Sequence, residues 1–462
     1  MKKTKIVATI GPACESKKDL LSLSKAGVNV FRLNFSHGSH SEHKAKITKI
    51  RELGLQGAIL LDTKGPEIRT DMGDEYANFK KGSKIIFTIE KSNYKKTGKI
   101  SVNYRKFISD VTTGDTIVID GGLMMAKVLR KTKTDVICKI FKGSAKLKGK
   151  KHINLQGKKV SLDTVTANDW KDIEFGIKNK VDYIALSFTR TAKDIREVRD
   201  FCLSKKQDIK IIAKIENFEA VQHLESIVKE ADGVMVARGD LACEIPFTQV
   251  PRVQRKIIEL CFQHKKPVIV ATQMLKSLVE NATPTRAEVM DVSTAVIDGA
   301  DAVMLSEETT KGINPTNAVD IMNEIATETE KDFINPETQK KYNIDNIREE
   351  IIKTAAKIPL NLKGIDGICI FSKSGDSILT LSNYRPVVPI YAFVKNEKVK
   401  NQTSLLYGVY AEVMKIEKNP NENIKNLEKL IKEKKLKIKK YILIADLTVN
   451  NKTFPSIQIR EL

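Results

Sequence analysis

The chain is predicted to be an α/β protein: a (β/α)8 TIM barrel carrying an inserted all-β lid and a C-terminal α/β domain. Three observations carry the prediction. Eight short apolar runs alternate with helical patterns, the alternation breaks once over residues 71–161, and polar residues gather where the runs end.

The runs are KIVATI (5–10), VNVFRL (28–33), GAILLD (57–62), DYIALS (182–187), IKIIAKI (209–215), DGVMVA (232–237), PVIVAT (267–272) and ADAVML (300–305). Nearly continuous apolar strands separated by helices imply a parallel sheet covered on both faces. Eight such units suit a closed barrel better than an open sheet. The barrel is therefore expected in two parts, residues 1–70 and 162–336. Within 71–161 the text changes to short β runs (KIIFTIE, DTIVIDGG, DVICKIF) separated by Gly, Lys and Asn turns, which predicts an inserted β-barrel domain. An insertion after a barrel strand lands over the carboxyl face, where a mobile lid would sit. Residues 337–462 form the third unit, with IREEIIKTAAKI as a helix and DGICIF, VPIYAF, YILIAD and SIQIR as strands.

Composition limits the function classes. With 462 residues and 41% hydrophobic content, the chain is long enough for about three domains. Six cysteines, at 14, 138, 202, 243, 261 and 369, form no CxxC pair, so free structural thiols in a reducing compartment are expected. The start, MKKTKIVATI ahead of Cys14, imitates a lipoprotein signal. Gly11-Pro12 cuts its apolar run short, and a first barrel strand explains it better. No run approaches the ~18 apolar residues of a membrane span, so a cytoplasmic protein is expected. The balance of 79 Lys+Arg against 57 Asp+Glu gives +22, which favours anionic ligands and would also suit nucleic acid. The densest basic run, KLIKEKKLKIKK (429–440), alternates Leu and Ile with lysine and has no aromatic residue for a base to stack on. It reads as a solvated amphipathic face rather than an RNA surface.

The candidate chemistry lies at the carboxyl ends of the strands. Arg32, Asn34 and Ser36 follow the second; Asp62, Thr63, Glu67 and Arg69 the third; Lys214 and Glu216 end the fifth. Arg238, Gly239 and Asp240 follow the sixth, Thr272 ends the seventh, and Ser306 and Glu308 follow the eighth. In Lys214-Ile-Glu216 the strand period of two puts both charges on one face. The pair could simply neutralise itself, as could Arg238 and Asp240. Two carboxylates converging on one pocket, however, are costly to desolvate without a cation, and Mg²⁺ characteristically takes one or two carboxylates plus substrate oxygens. The segment from Val236 to Leu241 sets Gly239 where a strand gives way to a turn or short helix, so free backbone N–H groups there would make an anion site with Thr272 beside it. His37-x2-His40-x2-His43 has metal-like spacing but reads as a loop entering a helix, not zinc. With no P-loop and no GxGxxG, any nucleotide would be held without either fingerprint.

The segments KIVATIGPA, NVFRLNFSHG, LDTKGPEIRT, KIEN, MVARGDL, ATQML and PTRAEVMDVSTAVIDGADAVMLS, in that order, closely resemble the pyruvate kinase family. The resemblance implies phosphoryl transfer from phosphoenolpyruvate to ADP, then protonation of the enolate to pyruvate. It implies Mg²⁺ or Mn²⁺ on Glu216 and Asp240, Lys214 on the phosphoryl group in flight, and Arg32 in contact with it. Backbone N–H groups from Ala237 to Asp240, including Gly239, with Thr272, would hold the substrate carboxylate. Asn34, Ser36, Asp62 and the Thr63 carbonyl would hold K⁺, with Glu67 marking dependence on that ion. Arg32, Asn34, His37 and Arg69 would face the nucleotide, and Thr272 and Ser306 are the candidates for relaying a proton through water. The family also implies a homotetramer.

Departures from the family pattern fall at Thr191, where Lys or Arg is usual, with Lys193 as a candidate substitute. Glu307 and Ala242 replace glycines, and NLQG and SLD stand at the lid hinges. In the third domain Ser372, Lys373, Ser374, Gly375 and Ser377 resemble the family's effector-phosphate loop, and a capped helix start would look the same. A late glycine-rich loop is replaced by TVNNKTFPSIQIREL, so control by some sugar phosphate, or none, is expected. Two rival readings stand beside this one. A phosphoenolpyruvate-using barrel lyase or aldolase would need no ADP, and an RNA-binding role would rest on the +22 charge.

Overall fold

The computed structural model describes residues 2–332, 346–449 and 452–462. The boundary expected at 336/337 lies outside the described residues.

Eight parallel strands close into a barrel. In chain order they are Lys5–Thr9, Val30–Asn34, Ala58–Asp62, Tyr183–Leu186, Lys210–Ile215, Gly233–Ala237, Val268–Ala271 and Ala302–Leu305. Closure is made by the first strand, which pairs Lys5 with Ala302 of the eighth and Val7 with Val30 of the second. The seventh strand stops one residue short of the expected end. Thr272 leaves it with φ 70 and Gln273 follows with φ 56, so Thr272 stands in a turn rather than in the ladder.

Side-chain parity explains both the core and the site. Val7, Val30, Ala58, Leu60, Tyr183, Ala185, Ile212, Met235, Ile269, Ala271, Ala302 and Met304 fill the barrel, while their sequence neighbours Ile6, Phe31, Ile59, Ile184, Ile211 and Val303 pack outward under the helices. Extending the inward series to the carboxyl ends gives Thr9, Arg32 and Asn34, Asp62, Ser187, Lys214 and Glu216, and Ser306. The inward positions thus change from apolar filling to polar groups at one depth.

Helices cover the outside and are started by their own sequence. Ser39, Thr166 and Thr285 cap the helices His40–Glu52, Ala167–Lys178 and Arg286–Ile297 with reciprocal capping boxes. No described helix is long and apolar enough to cross a membrane.

The insertion is β-rich, as its turn pattern implies. A seven-stranded sheet runs from Thr70–Asp71 at one edge to Ile153–Leu155 at the other. A bridge between Arg69 and His152, with Thr70 N–H donating to the Lys151 carbonyl at 2.8 Å, joins those two edges around a separate core that includes Phe87, Phe107 and Val136.

The third unit is a five-stranded sheet with helices. Besides the expected strands it contains Val409–Val413, missed because only Val409 is fully buried there and the rest shows no clear alternation. The basic run 429–440 is not one face: the helix Pro420–Glu433 ends inside it, and Lys435 turns the chain with φ 50 toward the strand starting at Lys440. Ile431 and Ile438 are buried, so part of the apolar half of the run is domain core. This domain docks under the amino ends of the barrel strands, where Lys5 Nζ donates to the Val409 carbonyl at 2.6 Å and Leu405 plugs the barrel interior. All six cysteines are free and buried.

Candidate active site

Lys214 is the centre of a buried polar cluster. Its ammonium donates to Ser187 Oγ at 2.6 Å and Asp62 Oδ1 at 3.0 Å, and lies 3.3 Å from Glu216 Oε2. Asp62 on its other side takes Arg32 Nε at 2.6 Å, and Arg32 in turn donates to Thr9 Oγ1 at 2.8 Å. Burial disfavours the charges of both Lys214 and Asp62, yet the partners win. Asp62 and Glu216 hold the Lys214 pKa above its ordinary value, and Arg32 and Lys214 hold Asp62 below the usual carboxylate range. The cluster therefore presents two fixed cations at the barrel mouth.

Glu216 differs from Asp62. Its Oε1 accepts the Phe188 N–H at 2.7 Å, but its buried Oε2 has no hydrogen-bond partner among the described residues, since the nearby Lys214 lacks the geometry for one. Burial pushes its pKa up to about 7, with Lys214 opposing and Asp240 adding to the rise. Asp240 sits in the short helix Arg238–Glu244. Arg238 does not neutralise it: both terminal guanidinium nitrogens go to Asp291, each at 2.7 Å. The alternative of two self-contained ion pairs thus fails at Asp240. Oxygen donors only, one of them buried without a hydrogen bond, match the preference of a hard divalent cation. No cluster of three or more His, Cys, Asp or Glu suited to a metal exists among the described residues. The histidine triplet does not form one, because His43 faces the His37 carbonyl at 2.9 Å and His40 pairs with Asp172 at 2.6 Å.

The expected anion cradle needs one correction. The Gly239 N–H is not free; it donates to Thr272 Oγ1 at 2.9 Å. The Thr272 hydroxyl keeps its own proton to donate. A Cβ on Gly239 would meet only ordinary contacts with Thr272, so the protein itself does not demand glycine there. Phe188, Thr272 and Gln273 all hold positive φ without being glycine, a costly conformation that clusters at working sites.

At the second and third strands Asn34 is paired in register with Asp62, which brings Asn34, Ser36, Asp62 and Thr63 to one corner. Asn34 Oδ1 accepts the Ser36 N–H at 3.1 Å, and the Thr63 carbonyl accepts the Ser187 hydroxyl at 2.5 Å. Glu67 is tied to Arg69 at 2.8 Å, and His37 is exposed, its N–H donating to the Asn34 carbonyl at 3.3 Å. Ser306 gives its N–H to the buried Glu308 at 2.8 Å, which makes Glu308 a support of the turn. Thr191 caps the helix Ala192–Ser204 and Lys193 is exposed beside Glu197. Glu307 lies 3.6 Å from both Lys276 and Lys311.

Two cluster members escaped the sequence reading, Thr9 and Ser187. Each continues the inward parity of its strand, and that parity was the signal available.

Far from this mouth, Ser372, Lys373, Ser374 and Ser377 line a cavity of about 600 Å³ with Arg348 and Lys418. Gly375, φ +100, starts the helix Asp376–Asn383 and donates its N–H to Ser372 Oγ at 2.9 Å. Asp376, Glu417 and Asp446 share the lining, so its charge is mixed.

Comparison with known proteins agrees in both halves. The pyruvate kinase barrel-domain model matches residues 1–319 and the pyruvate kinase alpha/beta-domain model matches residues 349–453. The chain is 40% identical to the chloroplastic pyruvate kinase isozyme G of Nicotiana tabacum over 444 residues, 94% of this chain and 78% of that one. It is 44% identical to the pyruvate kinase of Geobacillus stearothermophilus over 426 residues, 89% of this chain and 71% of that one. A crystal structure of a Cryptosporidium parvum pyruvate kinase superposes with a TM-score of 0.92 at 32% identity, covering 100% of this chain and 96% of the other. The chain belongs to the pyruvate kinase family and is a phosphotransferase that passes the phosphoryl group of phosphoenolpyruvate to ADP, giving pyruvate and ATP in the last step of glycolysis.

Proposed function

We propose that Glu216 and Asp240 hold the divalent cation of this pyruvate kinase, Mg²⁺ or Mn²⁺, and that Lys214 and Arg32 carry the positive charge that meets the phosphoryl group. The observation that supports this best is the buried Oε2 of Glu216, without a hydrogen-bond partner among the described residues, beside Asp240, whose own neighbouring arginine is committed elsewhere. When bound, the ion would supply Lewis-acid stabilisation of phosphoryl oxygens. A loose phosphoryl-transfer state spreads negative charge over oxygens, so fixed cations and positioning do most of the catalysis. Lys214 is suited to this because Ser187 and Asp62 lock its ammonium in place, and Asp62 and Glu216 hold it protonated; Thr9 and Asp62 fix the position of the Arg32 guanidinium.

Thr272 is the donor to the substrate carboxylate in this reading, with the backbone from Ala237 to Asp240 as the adjoining wall. Its free hydroxyl proton, relayed with Ser306 through water, is the source for the enolate. Asn34, Ser36, Asp62 and Thr63 are the K⁺ site, supported by their convergence across two paired strands, and Glu67 marks dependence on that ion. Asn34, His37 and Arg69 face ADP. We further propose a cytoplasmic homotetramer in which Ser372, Lys373, Ser374, Gly375 and Ser377 receive a phosphate-bearing effector.

A coupled assay of pyruvate formation tests the reading. Activity should require ADP, a divalent cation and K⁺ together. Pyruvate formed at the full rate without ADP would instead indicate a lyase, and full activity in Na⁺ alone would remove the K⁺ site.

A further inference from the structure

The lid returns to the barrel along Ile153–Leu155 and the turn after it, which run against the helix Arg238–Glu244. Three hydrogen bonds join them. Asn154 Nδ2 donates to Glu244 Oε1 at 2.8 Å, the Gly157 N–H donates to the Glu244 carbonyl at 2.8 Å, and Gln156 Nε2 donates to the Ile245 carbonyl at 3.3 Å. Asp240 lies four residues before Glu244 on the same helix, a spacing that puts both on one side. The start of that helix is fixed to the barrel by Arg238 on Asp291 and by the Gly239 N–H on Thr272. Asp240 therefore stands between a barrel anchor and a lid anchor.

Glu244 takes no part in the chemistry, yet it is a half-buried carboxylate, and withdrawing a charge from water is costly unless it is hydrogen-bonded. Its hydrogen bond from Asn154 meets part of that cost. Asn154 is 3% exposed, and its Oδ1 has no partner among the described residues. Beside it is a cavity of about 30 Å³ lined by His152, Lys158, Phe188, Arg190 and Asn217 as well as Asn154 and Glu244. That is room for about one water with polar partners. A joint of this kind can be rehydrated when it opens, whereas an apolar seam would expose its surface at full cost.

We propose that Glu244 is a positioning residue that, through Asn154, clasps the lid to the helix of Asp240, so that lid seating and the placement of the metal carboxylate are set together. It touches neither substrate nor ion. The proposal rests on Asp240 as a metal ligand.

The test is Mn²⁺ binding to the full-length enzyme without substrates, followed by electron paramagnetic resonance of the free ion, with the KM for ADP as a second readout. Glu244→Ala and Asn154→Ala should each raise the Mn²⁺ Kd about tenfold, the usual scale for a support behind a metal ligand. Both should raise the KM for ADP, and the double variant should be no worse than either single one. Glu244→Gln, which keeps one acceptor oxygen for Asn154, should recover most of the loss. If Glu244→Ala does not fold, Asn154→Ala carries the same expectation. Unchanged Mn²⁺ affinity in Asn154→Ala, with only a lower melting temperature, overturns the clasp. A wild-type enzyme that binds no Mn²⁺ overturns the assignment of Asp240 instead.

Discussion

Arg238 commits both terminal guanidinium nitrogens to Asp291 at 2.7 Å and so forms no ion pair with Asp240, two residues along. Removing the partner should undo this. In Asp291→Ala the freed arginine competes with the metal for Asp240, so the Mg²⁺ concentration for half-maximal activity should rise about tenfold. An unchanged Mg²⁺ requirement would mean that Asp291 does not protect the site.

Lys214→Met should lose more kcat than Thr272→Ala. Lys214 contacts two buried carboxylates, so its loss removes transition-state charge, on the scale of 10² to 10³ in rate, and also leaves Glu216 without its ion-pair partner at a cost of about 3–5 kcal/mol, whereas Asp62 keeps Arg32. Thr272 contributes one neutral donor. Steady-state kinetics and melting temperatures of both variants check this, and equal, mild losses would sink the roles assigned.

Ser187→Ala should show whether the lysine must be held as well as present. It removes the 2.6 Å acceptor of the ammonium and the donor to the Thr63 carbonyl while keeping the charge. A kcat drop of about tenfold, the scale of one lost net hydrogen bond, is expected with little change in the KM for ADP.

The half-buried Glu244 gives a pH dependence of stability with a definite sign. Burial, opposed by Asn154, pushes its pKa up to about 7, above the 4.5 of a free side chain. The folded state therefore binds more protons between those values, and this contribution to stability is present below pH 4.5 and lost as pH rises through 7. Melting temperature should fall from pH 5 to pH 8 with a shallower slope in Glu244→Gln than in the wild type. Parallel slopes would mean that the carboxyl does not titrate in that window.

Much of this was legible before the fold was seen. Each barrel strand lies within its apolar run, give or take a residue, because a strand buried on both faces must be apolar throughout. Lys214-Ile-Glu216 could be read as a pair because strand parity is strictly two. The limits were tertiary. Serine and threonine at a strand end are common, and only packing beside Lys214 and Arg32 gives Ser187 and Thr9 a role. The Asp291 partner of Arg238 comes from another helix, so local spacing suggested Asp240 instead. Similarly, the amide of Gly239 looked free until the turn at Thr272 folded back on it.

The central claim is the metal pair, and Mn²⁺ binding to the substrate-free enzyme tests it most directly. Titration followed by the resonance of the free ion should show one tight site in the wild type that is lost or weakened at least about tenfold in Glu216→Gln and in Asp240→Asn, with both variants still folded. Wild-type affinity in either variant would contradict the account.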